Sequence, residues 1–354
     1  MTSSTVSLLY PITLMRSLLQ FISLDQTSVI NTSAAPPSTR ETYSAERIPP
    51  PSLFESKCHP LEKQVTAEVD GYFLQHWPFP NEKARKKFVT AGFSRVTCLY
   101  FPLAKEDRIH FACRLLTLLF LIDDILEDMS FEDGSAYNEN LIPISRGDVL
   151  PNRDIPAEWI TYDLWESMRA YDKELADEIL EPVFTFMRAQ TDKARLTIKG
   201  MGPYLVYREK DVGKALLCAL MRFSMDLHLT PEQLNSVEPI EQNCAKHLSV
   251  LNDIFSWEKE LLASQTGHSE GSAICSAVQV LSEETSLSCA ASKRVLWIMC
   301  REWELTHNIM TAKRRESKNM ACTEDLLTYM KGLEYQISGN EIWSATTLRY
   351  NYPN

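Results

Sequence analysis

The chain has 354 residues, of which 44% are hydrophobic, so it can bury one large core or two modest ones and enclose a cavity. Its formal net charge is −11 and its pI is about 5.3, and a field of that sign repels nucleic acid and anionic lipid. We therefore expect no nucleic-acid partner and no stable membrane insertion, and a polyanionic ligand would need local cations or metal ions.

The N-terminal region differs in composition from the rest of the chain. Residues 5–24 are apolar, but Pro11 and Arg16 interrupt the run, and neither a basic n-region nor a small-residue cleavage site accompanies it, which disfavours a signal or anchor. Residues 31–52 are rich in Ser, Thr and Pro, as in an unfolded linker. We predict a poorly ordered extension over residues 1–56 and one folded domain over residues 57–354.

The cysteines indicate a reducing compartment. There are nine, which is an odd number, and they are widely scattered without a C-x-x-C pair. This usage predicts free thiols in a cytoplasmic protein.

Periodicity predicts an all-α fold for the folded part. Apolar residues recur at three- and four-residue spacing, glycine is scarce at 11 residues, and strand-like alternation is rare. Breaks are expected at these positions: Pro78, Pro80, Pro102, 143–156, Pro182, 200–203 and Thr230-Pro231. In the last of these, Thr230 suits an N-cap and Pro231 the first helical position. The breaks predict a single compact domain of roughly ten helices.

An acidic cluster ends the most apolar of these segments, RIHFACRLLTLLFLIDDILEDMS. Asp123 and Glu127 are spaced i,i+4, and Asp124 and Glu127 i,i+3, so their carboxylates converge. Such a cluster ordinarily marks a helix end that is exposed to solvent. Here the preceding leucine-rich run predicts that the helix is buried on all sides, and buried like charges need a cation. Hard oxygen ligands favour Mg²⁺.

A second oxygen-rich group lies in LSVLNDIFSWEKE, where Asn252, Ser256 and Glu260 follow one another at four-residue intervals. On a helix these three side chains share one stripe, so their oxygen atoms face one point. Such a set, with positions left open for water and phosphate oxygens, suits Mg²⁺.

Together, D-D-I-L-E and N-D-I-F-S-W-E-K-E resemble the two metal-binding motifs of class I terpene cyclases, and the similarity extends over residues 57–352. The resemblance implies a single class I terpenoid synthase domain with a central active-site cavity and three Mg²⁺ ions. It gives Asp123 a bridging role, with Asp124 and Glu127 in support, and it assigns another ion to Asn252, Ser256 and Glu260.

The resemblance also implies which residues bind the diphosphate group and which surround the hydrocarbon chain of a prenyl diphosphate. The expected diphosphate-binding set is Arg208, with Asp211 as its linking carboxylate, and Lys259, Arg349 and Tyr350. The expected pocket aromatics, whose ring faces attract carbocations without reacting with them, are Tyr100, Phe120, Phe186 and Trp343. From the residues alone, each cation could be a surface charge and each aromatic a core residue.

By resemblance, the expected activity is that of a sesquiterpene cyclase acting on farnesyl diphosphate, with bound pyrophosphate as the base for at least the first proton. The alternatives are a related sesquiterpene cyclase that forms a different hydrocarbon and a catalytically silent helical interaction protein. A prenyl chain-elongating synthase is disfavoured because that class carries an aspartate-rich second motif, whereas this chain has Asn252, Ser256 and Glu260. A homo-oligomer is compatible with the sequence.

Overall fold

The computed structural model describes residues 49–317 and 322–351. Residues 5–24, and the predicted extension and linker up to residue 48, lie outside that part. The described residues form thirteen α-helices, one short 3₁₀ helix (Lys193–Leu196) and no strand, which confirms the predicted all-α class. The helices are α1 Glu62–His76, α2 Glu82–Ala91, α3 Phe93–Tyr100, α4 Ile109–Leu126, α5 Phe131–Arg146, α6 Pro156–Tyr171, α7 Lys173–Gln190, α8 Met201–Asp211, α9 Lys214–Met225, α10 Pro231–Thr266, α11 Ala277–Thr285, α12 Cys289–Glu316 and α13 Glu324–Thr346.

The long helix α10 begins where the sequence predicts. The Thr230 hydroxyl accepts a hydrogen bond from the Gln233 amide at 3.3 Å, the Gln233 side chain accepts one from the Thr230 amide at 2.8 Å, and Pro231 occupies the first turn. This capping box satisfies amide groups that the helix itself leaves unpaired. It confirms Thr230 as an N-cap and starts the helix that carries the second motif.

One of the predicted breaks is wrong, because Pro182 lies inside α7. The break predicted over residues 143–156 is present, but α5 continues through Pro143 and ends at Arg146, and α6 begins at Pro156. A proline within a helix removes one hydrogen bond and costs about 3 kcal/mol. In α7 the flanking Ile179, Val183 and Phe184 are fully buried or nearly so, and their burial offsets that cost. Tertiary packing therefore overrides the local signal.

The position of α13 is set by close backbone packing. A Cβ placed on Gly339 would lie 2.6 Å from the backbone oxygen of Leu99 in α3, nearer than side-chain carbons approach such an atom. A Cβ on Gly332 would lie 2.3 Å from the sulfur of Met221 in α9. Glycine at these two positions lets α13 pack directly on its neighbours. The helix thereby forms one wall of the central cavity.

Residues 49–56 precede α1 and pack along α12 in an extended segment, which we call the strap. The Leu53 amide donates to Glu304 Oε2 at 2.6 Å, the Arg301 Nε donates to the Pro50 carbonyl oxygen at 2.6 Å, and the Phe54 ring meets the His307 ring edge-on at 5.5 Å. Behind the strap lies a charged cluster, the strap network, made of the buried residues His247, Arg301 and Glu304 and the partly buried Glu341.

All nine cysteines are free thiols in the structure. Across the part of the chain that the structure describes, no helix combines the length and apolar character that crossing a bilayer requires.

Candidate active site

A cavity of about 220 Å³ lies among α4, α7, α8, α10 and α13. Carboxylates and cations line one part of it, and aliphatic and aromatic side chains line the rest. Of the site residues predicted from the sequence, all but Asp124 line this cavity: Tyr100, Phe120, Asp123, Glu127, Phe186, Arg208, Asp211, Asn252, Ser256, Lys259, Glu260, Trp343, Arg349 and Tyr350. Residues from distant parts of the sequence thus surround one space.

The first acidic group lies at the C-terminal end of α4, whose apolar residues are almost all buried. One carboxylate oxygen each from Asp123, Asp124 and Glu127 lie within 4.8 Å of one another. Burial, reinforced by the charge of Glu127, raises the pKa of Asp123 to about 6. For Asp124, burial acts in the same direction, but the adjacent Arg349 guanidinium outweighs it and lowers the pKa. Asp124 is thus held by Arg349, whereas Asp123 faces the cavity.

The second group lies on one stripe of α10, as the spacing predicts. The Ser256 hydroxyl donates to Glu260 Oε1 at 2.5 Å, and the Asn252 side-chain amide donates to the Tyr350 hydroxyl at 2.8 Å. Burial, followed by the nearby charge of Asp253, raises the pKa of Glu260 to about 7. No Lys or Arg in the described part of the chain pairs with Glu260. The stripe therefore presents carboxylate charge that lacks a direct cationic partner.

Three cations predicted to bind diphosphate are engaged in ion pairs. Arg208 pairs with Asp211 and donates from Nη2 to Asp253 Oδ1 at 2.8 Å, and Lys259 pairs with Glu127. Arg349 donates from Nη2 to Asp124 Oδ1 at 2.8 Å. The acidic motifs and these donors neutralise one another in part, so a metal-bound diphosphate would exchange with existing pairs.

Aromatic side chains define the apolar part of the cavity. Phe120 stacks on Phe93 with ring centroids 4.4 Å apart, and its centroid lies 5.9 Å from that of Trp343. The Trp343 indole donates to the Ala91 carbonyl oxygen at 3.0 Å, and the Tyr100 hydroxyl donates to Asn340 Oδ1 at 2.8 Å. Because their polar atoms are bonded within the protein, these rings can present apolar surface to a hydrocarbon chain.

Four polar residues at or beside the site were not predicted from the sequence: Gln190, Arg195, Asp253 and Asn340. Gln190 ends α7 and donates to Asp123 Oδ1 at 2.9 Å. Asp253 is fully buried and accepts from both Arg208 and the Ala277 amide. Asp253 follows Asn252 in the motif and turns to another helix face, which sequence periodicity could have indicated. Gln190 and Arg195 carry no comparable signal.

The donor set fits Mg²⁺. The converging carboxylates, the hydroxyl and the amide oxygen are hard ligands, and the raised pKa values of Asp123 and Glu260 show that nearby cations do not fully compensate the buried charge. Two other acidic groups of similar geometry occur in the described residues, where Arg301 pairs with one and Arg108 with the other. Arg349 and Lys259 pair with the first cavity motif in the same way, but Glu260 of the second motif has no Lys or Arg partner among the described residues, and this distinguishes the cavity as the metal-binding candidate.

A helical domain whose cavity carries two facing oxygen-rich motifs defines the class I terpene cyclases. The family model for terpene synthase family 2, C-terminal metal binding, matches residues 114–304. The chain belongs to this family.

Individual members of the family indicate which terpene cyclases this chain resembles. Aristolochene synthase of Aspergillus terreus is 65% identical over 315 residues, which span 89% of this chain and 98% of that protein. The crystal structure of aristolochene synthase from Penicillium roqueforti superposes with a TM-score of 0.76 at 61% identity, over 85% of this chain and 100% of that one. Hedycaryol synthase, 18% identical over 85% of this chain and 99% of its own, has a TM-score of 0.70 and shares the fold.

Proposed function

We propose that the chain is a sesquiterpene cyclase that converts farnesyl diphosphate into aristolochene and pyrophosphate. The main observation in support of the proposal is that one cavity is lined by two candidate metal-binding motifs, the expected diphosphate donors and several aromatic rings. The names of relatives at 60% identity or more, which cover most of both chains, support aristolochene as the product.

The polar end of the cavity binds the diphosphate. Asp123, supported by Asp124 and Glu127, would hold two of three Mg²⁺ ions, and Asn252, Ser256 and Glu260 would hold the third. Mg²⁺, when bound, stabilises the negative charge of the departing pyrophosphate. The chain's own donors to its oxygen atoms are Arg208, Lys259, Arg349 and Tyr350, of which the arginines offer planar, bidentate geometry. Asp211 orients Arg208 through their ion pair.

The apolar end folds the hydrocarbon chain so that the C10–C11 alkene attacks C1 as the diphosphate leaves, which closes a ten-membered ring. Loss of a methyl proton gives neutral germacrene A. Reprotonation, transannular closure, a hydride shift, a methyl shift and a final deprotonation then give aristolochene. Tyr100, Phe120, Phe186 and Trp343 stabilise the successive cations through their ring faces and exclude water that would trap them.

Bound pyrophosphate is the base for the first deprotonation. Among the described residues that line the cavity there is no histidine, and the lysine there, Lys259, is paired with Glu127. A leaving group that carries several negative charges and stays beside the allylic cation is the strongest available proton acceptor.

Incubation with farnesyl diphosphate and Mg²⁺, followed by gas chromatography, tests the proposal. We expect aristolochene, no turnover in excess chelator, and recovery with Mn²⁺ better than with Ca²⁺, whose larger and looser coordination shell fits an octahedral site poorly. Full turnover in chelator would overturn the proposal. A different cyclic hydrocarbon would keep the class of enzyme and reject the product.

A further inference from the structure

The cavity contains a partly buried arginine that differs from its other cations in having no ion-pair partner. Arg195, Arg208, Lys259 and Arg349 all line it. The last three have carboxylate partners, whereas no described carboxylate oxygen lies within 4.0 Å of a nitrogen of Arg195. An arginine is charged at every physiological pH, so its charge must be balanced in another way.

The protein itself offers Arg195 only neutral partners. Its Nη1 donates to the Gln190 carbonyl oxygen at 2.9 Å, and its Nη2 reaches the Ala273 carbonyl oxygen at 3.4 Å, near the limit for a hydrogen bond. Its Nε–H is buried and has no acceptor among the described residues. A buried donor without an acceptor is costly, which is a reason to expect an acceptor that arrives with a ligand.

The surroundings of Arg195 indicate the charge of that ligand. Asp211 and Arg208 are close enough to interact with Arg195 electrostatically, and Asp211 is already paired with Arg208. Both carboxylates near this part of the cavity, Asp211 and Asp253, already pair with Arg208, and neither lies within ion-pair distance of Arg195. A cation with a buried, unpaired donor beside a second arginine favours an anion with several oxygen acceptors.

We propose that Arg195 is a further diphosphate-binding residue, which donates to phosphate oxygens beside Arg208. This inference rests on the proposed function, because it assumes a diphosphate in the cavity. The predicted donors come from α8, α10 and the segment after α13, and Arg195 adds a donor from the connection between α7 and α8. Since Arg195 starts without an ion pair, it engages the diphosphate without first giving up a carboxylate.

Isothermal titration calorimetry with inorganic pyrophosphate at saturating Mg²⁺ tests this proposal on the full chain. Arg195→Gln should weaken pyrophosphate binding about 10- to 100-fold, the loss expected for one or two charge-assisted hydrogen bonds. Arg195→Lys, which keeps the charge but loses the planar fork, should fall between the Gln variant and the wild type. Arg188→Gln is the matched control, because Arg188 lies on α7 and pairs with Glu139 at the exposed surface.

Thermal unfolding without ligand separates binding from a structural role. We expect the Arg195 variants to unfold near the wild-type temperature while their pyrophosphate affinity falls and their KM for farnesyl diphosphate rises. If Arg195→Gln binds pyrophosphate as the wild type does, Arg195 only bridges two backbone carbonyls and the proposal is wrong. If the Gln variant does not fold, the Lys variant decides in the same way.

The same titration distinguishes this proposal from the proposed function. A wild-type protein that turns over farnesyl diphosphate, together with an Arg195→Gln variant of unchanged affinity, rejects only the role of Arg195. A wild-type protein that neither binds pyrophosphate with Mg²⁺ nor turns over the substrate rejects both.

Discussion

Two charged clusters in this molecule have similar geometry and opposite electrostatics. In the cavity, Glu260 accepts a hydrogen bond from Ser256 but has no ion-pair partner among the described residues, and burial raises its pKa to about 7. In the strap network, burial also acts to raise the pKa of Glu304, but hydrogen bonds from His247 and the Leu53 amide and the charge of Arg301 together lower it.

The difference shows how a functional site can be told from a structural one. The protein supplies Arg301 and several hydrogen bonds to complete the strap network, so an added cation would gain little there. At the cavity it leaves acidic groups incompletely neutralised, and an added Mg²⁺ would gain much more. Proximity of acidic groups alone does not separate the two clusters, whereas the lack of a cationic ion-pair partner at Glu260 does.

The largest expected effect is the loss of activity when a metal ligand in the cavity is replaced. Asn252→Ala or Glu260→Ala should lower kcat/KM by more than about 100-fold, because loss of a direct metal ligand should exceed the 10- to 100-fold effect typical of outer-shell partners. Asp128→Ala is the control, because Asp128 lies next to the same motif but is exposed. Steady-state kinetics measures all three variants, and equal losses would show that the ligands are misassigned.

In the strap network, the same kind of change should affect stability. Glu304→Ala leaves the Leu53 amide and the buried His247 ring nitrogen without their carboxylate partner and leaves Glu341 as the one carboxylate beside Arg301, and we expect it to lower the free energy of unfolding by about 3–5 kcal/mol. Denaturant unfolding measures this loss, with Glu302→Ala, an exposed neighbour on α12, as the control. The Mg²⁺ concentration for half-maximal activity should not change. A shift in that concentration would mean that the two clusters are coupled.

The lowered pKa of His307, which packs against the strap, should make the stability of the protein depend on pH. The side chain is fully buried, and burial followed by the charge of His247 lowers its pKa to about 4 from 6.5. The unfolded chain therefore binds more protons than the folded one between these values, so stability falls on acidification from pH 6.5 to 4, by about 3 kcal/mol from this group. The difference between wild type and His307→Leu in urea unfolding, followed across that range, isolates the effect. A difference that does not vary with pH would contradict it.

The smallest expected effect concerns the apolar part of the cavity. Trp343→Leu keeps an apolar side chain but removes the ring, whose attraction for a desolvated cation is about 0.5–2 kcal/mol. This variant should still release pyrophosphate but accumulate germacrene A, whereas Trp343→Phe should stay closer to the normal product.

Pyrophosphate release reports on the metal-binding part of the cavity, and gas chromatography reports on the apolar part. Trp343 also donates to the Ala91 carbonyl, and both substitutions lose that bond, so the Phe variant controls for it. Identical product ratios in wild type and both variants would assign Trp343 to packing alone.

The parts of the site that follow from helical periodicity could be predicted from the sequence. Asn252, Ser256 and Glu260 meet because α10 is regular, and Asp123 and Glu127 meet because Glu127 caps α4 one turn beyond Asp123. The family resemblance supplied the roles, together with Arg208, Lys259, Arg349 and the four aromatics, all of which line the cavity.

The rest depends on packing between distant segments. Gln190 reaches Asp123 only because the end of α7 lies against α4, and no local pattern marks it. Arg195 lies in a surface-like sequence, and it lines the cavity only because the connection between α7 and α8 packs against it. Pro182 was predicted to end a helix because its local cost is visible in sequence, whereas the burial of its neighbours is not.

The glycines of α13 restrict the ways in which the product range of this enzyme can change. At Gly332 an added methyl group meets the flexible thioether of Met221, but at Gly339 it meets the backbone of α3, which cannot move without carrying Tyr100 with it. The wall that bears Asn340 and Trp343 is therefore fixed in position. Directed evolution toward new cyclisation products should find its useful substitutions on the α7 and α9 side, around Phe186 and Leu216, and should rarely recover any change at Gly339.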